Sequence, residues 1–365
     1  MLRVAHVLNS PGRGGVPRVV DALVRHSDSS RIAPHVFYMK ASDGPDLMAD
    51  LDIPRRAATS GSKATAMTEL ISFLDHHKID ILHTHSFRPN VYGRMAGAVL
   101  RPSGLKIVAH YHNDYSDKWD PEAQCVERRL AAVTDAGIAV SAAVAGHVAE
   151  CVGTVCKLAE NGIDRARVTG GNRAKGRAAL GVPADAYLVG LVGRVCRQKG
   201  IDTFVTAAIM AATQRPDVCF VVIGDAEDQP LLARMTTRIS EADLADRIHF
   251  AGHRDDMADM LAALDLLTAP SRWEGFGLML AEAMSVGVPV IASTVGGMPD
   301  VLGDAGLLVS PDDHVALARA MASVLADEAR RAGMARRGLD QSTRFDWART
   351  SARVRAIYDC ITRTA

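Results

Sequence analysis

The sequence predicts an α/β protein made of two Rossmann-like domains, each a parallel sheet covered by helices. Three observations carry that expectation. The chain has 365 residues, longer than one hydrophobic core usually organises. Short apolar runs alternate with helical patterns along its whole length, the signature of strands joined by crossover helices. One loop, in residues 271–293, turns on a glycine and opens a helix, as ligand loops at strand ends do.

In the first half the strand-like runs are RVAHVL, HVFYM, IDILHTH, KIVAHYH and AGIAVS, each apolar enough to be buried on both faces. The second half repeats the rhythm with YLVGLVGR, VCFVVIGD, RIHFAGH, DLLTAPS, PVIAS and GLLV. Between them the stretch NGIDRARVTGGNRAKGRAALGVP mixes glycine with basic residues and holds no convincing strand. The segment FDWARTSARVRAIYDCI reads as an amphipathic helix anchored by Trp347, Val354, Ile357 and Tyr358. The expected division is residues 1–168, residues 169–345 and residues 346–365, the last a helix crossing back to the first domain. Open parallel sheets bind ligands at the carboxyl ends of their strands, so a cleft between the halves is the expected ligand site.

Composition narrows the function. Apolar residues make up 48% and charged residues 23%, values of a soluble globular protein. Net charge is zero, which removes the electrostatic case for a nucleic-acid partner and leaves membrane contact to a local peripheral patch. No run reaches transmembrane length, and MLRVAHVLNSPG reads as a short strand entering a glycine turn rather than as a signal peptide. Six cysteines lie scattered without a close CxxC pair, so reduced thiols are expected rather than zinc or disulfides. The expectation is a cytoplasmic enzyme, or one peripheral to the inner face of a membrane.

The most informative stretch is SRWEGFGLMLAEAMSVGVPVIAS, residues 271–293. Backbone N–H groups at Gly275, Phe276, Gly277 and Leu278 can meet an anion, because the first turn of a helix has no internal partners for its donors. A diphosphate fits. Glu274 and Glu282 would repel phosphate at contact, so they are expected to accept hydrogen bonds from sugar and ribose hydroxyls beside it. The plain alternative is an amphipathic helix with Leu278, Ala281, Met284 and Ser285 turned inward.

Several motifs in order resemble the GT-B glycosyltransferases, specifically the retaining family four that uses nucleotide-activated sugars. They are GRGGVPRVV, HTH at 83–85, AHYHND ending at Asp114, AVS at 139–141, ENGID at 160–164, GRVCRQKG at 193–200 and EGFGLMLAE at 274–282. GVPVIAS, TVGG and GLLV follow, so the resemblance spans nearly the whole chain. It implies a metal-independent glycosyltransferase with no cofactor, moving a sugar from a UDP- or GDP-sugar to a hydroxyl acceptor with retention. In that family the second glycine of the first loop, here Gly15, contacts the donor, and the histidine matched by His112 stands beside the donor sugar. Two departures concern base and sugar preference: Gly224, Asp225 and Ala226 replace a GxG, and GGMPD places Asp300 where the family has glutamate.

The residues support that reading chemically. Arg194 and Lys199 flank a strand-to-helix turn, where a guanidinium fork and an ammonium can meet one diphosphate without metal. They would stabilise charge growing on the leaving group, and His112, Arg194, Lys199 and Glu274 form the expected catalytic set. Gly14, His110, Asn113, Asp114 and Tyr115 are expected on the acceptor side, where Tyr115 and Trp119 could form a wall for sugar rings. The strand-end histidines His83, His85, His110 and His112 are expected to be hydrogen-bonded polar caps rather than metal ligands. Acceptors stay open among sugars, lipid-linked molecules and small metabolites. Rival readings are an epimerase or hydrolase on the same architecture, a silent sugar-nucleotide sensor, and an oxidoreductase, the last disfavoured by the lack of a clean GxGxxG.

Overall fold

Every strand read from the sequence forms, and each lies in a parallel sheet. The computed structural model describes residues 1–12, 14–42, 44–114 and 120–363. The first sheet contains β1 (Leu2–Leu8), β2 (Ile32–Tyr38), β3 (Arg55–Ala57), β4 (Ile81–His85), β5 (Lys106–Tyr111), β6 (Ala136–Ala139) and β7 (Cys156–Leu158), in the order β3-β2-β1-β4-β5-β6-β7. The second contains β8 (Tyr187–Val192), β9 (Val218–Ile223), β10 (Ile248–Gly252), β11 (Leu266–Ala269), β12 (Val290–Ser293) and β13 (Leu307–Val309), in the order β10-β9-β8-β11-β12-β13. The three-residue edge strands β3 and β7 did not stand out in the sequence, being too short and too polar to make an apolar run.

Two compact units follow, one of Met1–Gly162 with Asp346–Ala365 and one of Ile163–Phe345. In the first, Val7, Phe37, Leu70, Phe73, Leu82 and Ile107 form a core on one face of the sheet. On the other face Leu8, Val20, Val24, Val36 and Tyr38 pack together. The helix Trp347–Arg363 joins this unit, as expected of a helix returning to the N-terminal domain. Its Thr350 hydroxyl donates to the Glu160 carbonyl at 2.6 Å, and Arg353 and Arg355 pair with Glu160 and Asp28 at 2.9 and 3.3 Å. Tyr358, 2% exposed, drives its ring into the sheet. Trp347, Val354 and Tyr358 are buried as the sequence predicted, Ile357 is only partly buried, and the solvent side carries Arg349, Arg353 and Arg363 among alanines.

The second unit buries β9 entirely and packs Phe204 edge-on against Phe220 at 6.3 Å in its core. The basic, glycine-rich stretch after residue 160 forms two short helices, Arg165–Val168 and Arg173–Ala179, and no strand. Gly176 is required by close approach: a Cβ there would lie 2.1 Å from the Asp259 carbonyl of the helix Met257–Ala263.

Candidate active site

In the second unit the chain leaves β11 and reaches Gly277 in the left-handed region at φ 91°, a conformation that favours glycine. Gly277 caps the helix Leu278–Ser285 without a side-chain hydrogen bond, and Leu280 N donates back to Gly277 O at 2.9 Å. Phe276 fixes the bend by burying its ring edge-on against Phe345, 5.4 Å between centroids. The TVGG turn holds it from the other side. Gly297 N donates to Glu274 O at 3.2 Å, and a Cβ on Gly296 would lie 1.7 Å from that same carbonyl. Two sequence motifs twenty residues apart are thereby one structural object.

The GRVCRQKG loop after β8 docks on the same bend. Arg272 N donates to Gln198 O at 2.8 Å, and Gln198 Nε2 donates to Trp273 O at 3.1 Å. Gly200, at φ 64°, lets the turn press onto the Pro270 carbonyl, where a Cβ would come within 2.0 Å. The Lys199 stem runs along Gly193, and its ammonium forms an ion pair with Glu274. That pair is 8% exposed at Lys199, so the charge sits in a sheltered position beside the helix start. Arg194 differs: it is half exposed and pairs with Glu227, with Gln198 Oε1 accepting from its other nitrogen at 3.2 Å. Glu282, on the first helix turns, faces Arg167 at 3.4 Å. Neither Glu227 nor Arg167 was singled out in the sequence, since a lone charge in a polar loop carries no signal of its partner.

The two departures take a structural form. Gly224, at φ 152°, bonds its N–H to Gly252 O at 2.8 Å, and Asp225 reaches His253 at 3.3 Å. Asp300 lies exposed on the helix Met298–Leu302.

In the first unit Gly14 caps the helix Gly15–Arg25. A Cβ on Gly15 would meet nothing within 4 Å, so internal packing does not require glycine there. Arg13 of that motif, and Tyr115 and Trp119 of the expected acceptor wall, lie outside the described residues. Asn113 Oδ1 accepts from Asp114 N at 3.0 Å. Behind them Tyr111 turns to the opposite side of β5, where its hydroxyl bonds Glu127 at 3.2 Å, and Glu127 in turn forms a fully buried ion pair with Arg94. This network pins the end of the strand that carries His110 and His112.

Of the four strand-end histidines, His83, His85 and His112 are hydrogen-bonded as expected, and His110 departs from that expectation. Parallel register places His6 beside His83 and His85 beside His110, so these four and His112 share one face of the sheet. His6, alone in an apolar strand, was missed. His6 Nδ1 lies 3.0 Å from His85 Nε2, and His85 Nδ1 lies 3.1 Å from His112 Nε2. His83 Nδ1 bonds the Tyr358 hydroxyl at 2.6 Å. Among the described residues, however, both ring nitrogens of His110 and Nε2 of His83 are buried without a hydrogen-bond partner. Burial pushes His6 down to about 4 and holds His83, His85 and His110 well below the usual histidine value, so all are neutral at pH 7.

With the geometry established, comparison with known proteins decides the family. Residues 13–167 match the model described as Glycosyltransferase Family 4, and residues 186–327 match that for Glycosyl transferases group 1. The chain belongs to the group 1, family 4 glycosyltransferases. Among its family relatives, a lipopolysaccharide core biosynthesis mannosyltransferase of Rhizobium meliloti is 36% identical over 53% of this chain and 57% of its own length. A D-inositol 3-phosphate glycosyltransferase of Salinispora tropica is 32% identical over 74% of this chain and 62% of its own. The chain thus spans little more than half the length of these curated relatives. The fold is GT-B. HepE of Anabaena, solved with UDP and glucose, superposes with a TM-score of 0.89 over 99% of this chain and 100% of its own at 22% identity. The sucrose-phosphate synthase of Thermosynechococcus elongatus does so with 0.84 over the whole of both chains at 23%.

Proposed function

We propose that this family member is a retaining glycosyltransferase that transfers a sugar from a UDP- or GDP-sugar to a hydroxyl acceptor. The observation that carries the reading is the sheltered Lys199 ammonium against Glu274, at the mouth of the Gly277 helix start. One loop assembly therefore offers a cation and helix-start N–H donors to an anion, and a carboxylate to hydroxyls. Relatives are consistent with it: one is named a mannosyltransferase, and HepE was solved with UDP and glucose.

Breaking the bond from the anomeric carbon to the diphosphate places charge on the leaving oxygens, and donors fixed in advance at that position lower the barrier. Lys199 and the backbone at Gly275, Phe276, Gly277 and Leu278 supply them. Arg194 exchanges its Glu227 contact for phosphate, a change an exposed pair allows at little cost. Glu282 takes the ribose hydroxyls, with Arg167 orienting its carboxylate, and Glu274 takes the transferred sugar. Gly15 gives backbone access to the donor, and His112, neutral at pH 7, accepts or donates to a sugar hydroxyl. The acceptor is an alcohol on a sugar, a lipid-linked glycan or a small molecule, met by Gly14, His110, Asn113, Asp114 and Tyr115. Attack from the leaving-group face retains configuration without a covalent carboxylate intermediate.

The test is a panel of nucleotide sugars read by thermal shift, since a ligand bound only by the folded state raises the melting temperature. UDP- or GDP-sugars should raise it and NAD should not. Product from the active pair, examined by NMR, should keep the donor's anomeric configuration; an inverted product overturns the mechanism.

A further inference from the structure

We propose that His85, His110 and His112 form a binding site for one transition-metal dication of the zinc and cobalt type, at the carboxyl ends of β4 and β5. The inference rests on the first unit alone; the proposed function also places His110 on the acceptor side and His112 at a sugar hydroxyl, so an ion and a sugar hydroxyl are alternative occupants of His112.

One nitrogen from each of the three rings lies within 4.8 Å of the others. His85 Nδ1 and His112 Nε2 are 3.1 Å apart. Two nitrogens bound to a tetrahedral ion at about 2.05 Å sit roughly 3.4 Å apart, so this pair needs to open by only a few tenths of an ångström. His110 supplies the second observation. It is 0% exposed, and neither ring nitrogen has a hydrogen-bond partner among the described residues. A neutral imidazole carries one lone pair and one N–H, and leaving a buried polar group unmade costs about 1–3 kcal/mol. An ion takes up that lone pair.

The surroundings suit a ligand set. When His85 binds through Nδ1, its Nε2–H donates to His6 Nδ1 at 3.0 Å, the kind of outer hydrogen bond that fixes a metal-binding tautomer. Access runs through His112, which keeps part of its surface in solvent while His85 and His110 are buried. Three nitrogens leave a fourth coordination position for water or an oxygen ligand. A second trio, His6, His83 and His85, shares His85 but is buried at every member, and so lacks a way in.

Full-length protein stripped with chelator and desalted is titrated with Co²⁺, following the visible absorption of four-coordinate cobalt, then displaced with Zn²⁺. We expect saturation at one equivalent. His110→Ala and His112→Asn should each weaken binding at least about tenfold, and His253→Ala, in the other unit, should leave it unchanged. Circular dichroism checks that each variant folds. His112→Asn, at the partly exposed position, keeps the test valid if the buried change does not fold. Absence of a saturable cobalt spectrum overturns the site, as does undiminished binding by His112→Asn. Loss on His83→Gln with retention in His112→Asn also overturns it, by placing the ion in the inner trio.

Discussion

At the scale of single residues, the site depends on charges whose partners lie far away in sequence. Lys199 and Glu274 are 75 residues apart and form one ion pair. Both were candidate site residues in the sequence, because each sits in a glycine-bounded loop; their pairing was not legible, because nothing in either loop encodes the other. Under the proposed function Lys199→Ala removes a donor to the leaving group, and it should lower kcat/KM by about 10²–10³ with the folded state retained. Steady-state rates with the best donor and a far-UV spectrum check this, and a wild-type rate would remove Lys199 from the mechanism. Arg94 and Glu127 were invisible in the sequence, since each belongs to an ordinary helical stretch. They form a pair 0% and 1% exposed, and opening such a pair by removing one partner costs about 3–5 kcal/mol. Glu127→Ala should lose that much in urea unfolding; a loss under 1 kcal/mol would show that Tyr111 and the loop after it are held by something else.

At the scale of elements, strand periodicity predicted that His83 and His85, and likewise His110 and His112, share a face, and this held. What periodicity does not give is strand order, and it is the order β1-β4-β5 that brings His6 to the same face and turns two pairs into a cluster of five. Burial of neutral imidazoles makes the first unit acid-sensitive, with a defined sign. Folded His6 titrates near 4 and an unfolded histidine near 6.5. Between these values the unfolded chain binds more protons, so stability increases with pH, is complete above about 6.5 and falls away toward 4. His6 alone contributes on the order of 3 kcal/mol across that window. Thermal unfolding from pH 7.5 to 4.5 should show the melting temperature falling, with a shallower fall in His6→Leu; identical slopes would contradict the assignment. The bend at Gly296 gives a different kind of element-level prediction. A methyl group there collides with backbone rather than a movable side chain, so Gly296→Ala should displace the Glu274 loop and abolish donor binding by calorimetry. Unchanged donor affinity would mean that the TVGG turn does not set the loop.

At the scale of the whole molecule, the two-sheet architecture was legible because each strand announces itself as an apolar run, and the family was legible because its loops follow those strands in order. The C-terminal helix was legible as amphipathic, but its polar work was not: Tyr358 closes onto His83 while Arg353 and Arg355 pair with Glu160 and Asp28. Tyr358→Ala should therefore cost about 3–5 kcal/mol, the range for emptying a buried aromatic position. The loss should appear as weakened hydrogen-exchange protection in β4 of the first unit, with β9 of the second less affected. Equal protection in β4 before and after the change would separate the helix from that unit's stability. Function at this scale turns on whether the second unit's loops grip a diphosphate without help from a metal. Calorimetric titration of the protein with its best nucleotide sugar, in the presence of chelator, measures this directly for wild type, Lys199→Ala and Glu282→Ala. Binding by wild type with at least tenfold weakening in each variant, about 1.4 kcal/mol apiece, is the predicted result. Equal affinities in all three, or wild-type binding that vanishes with chelator, would contradict it.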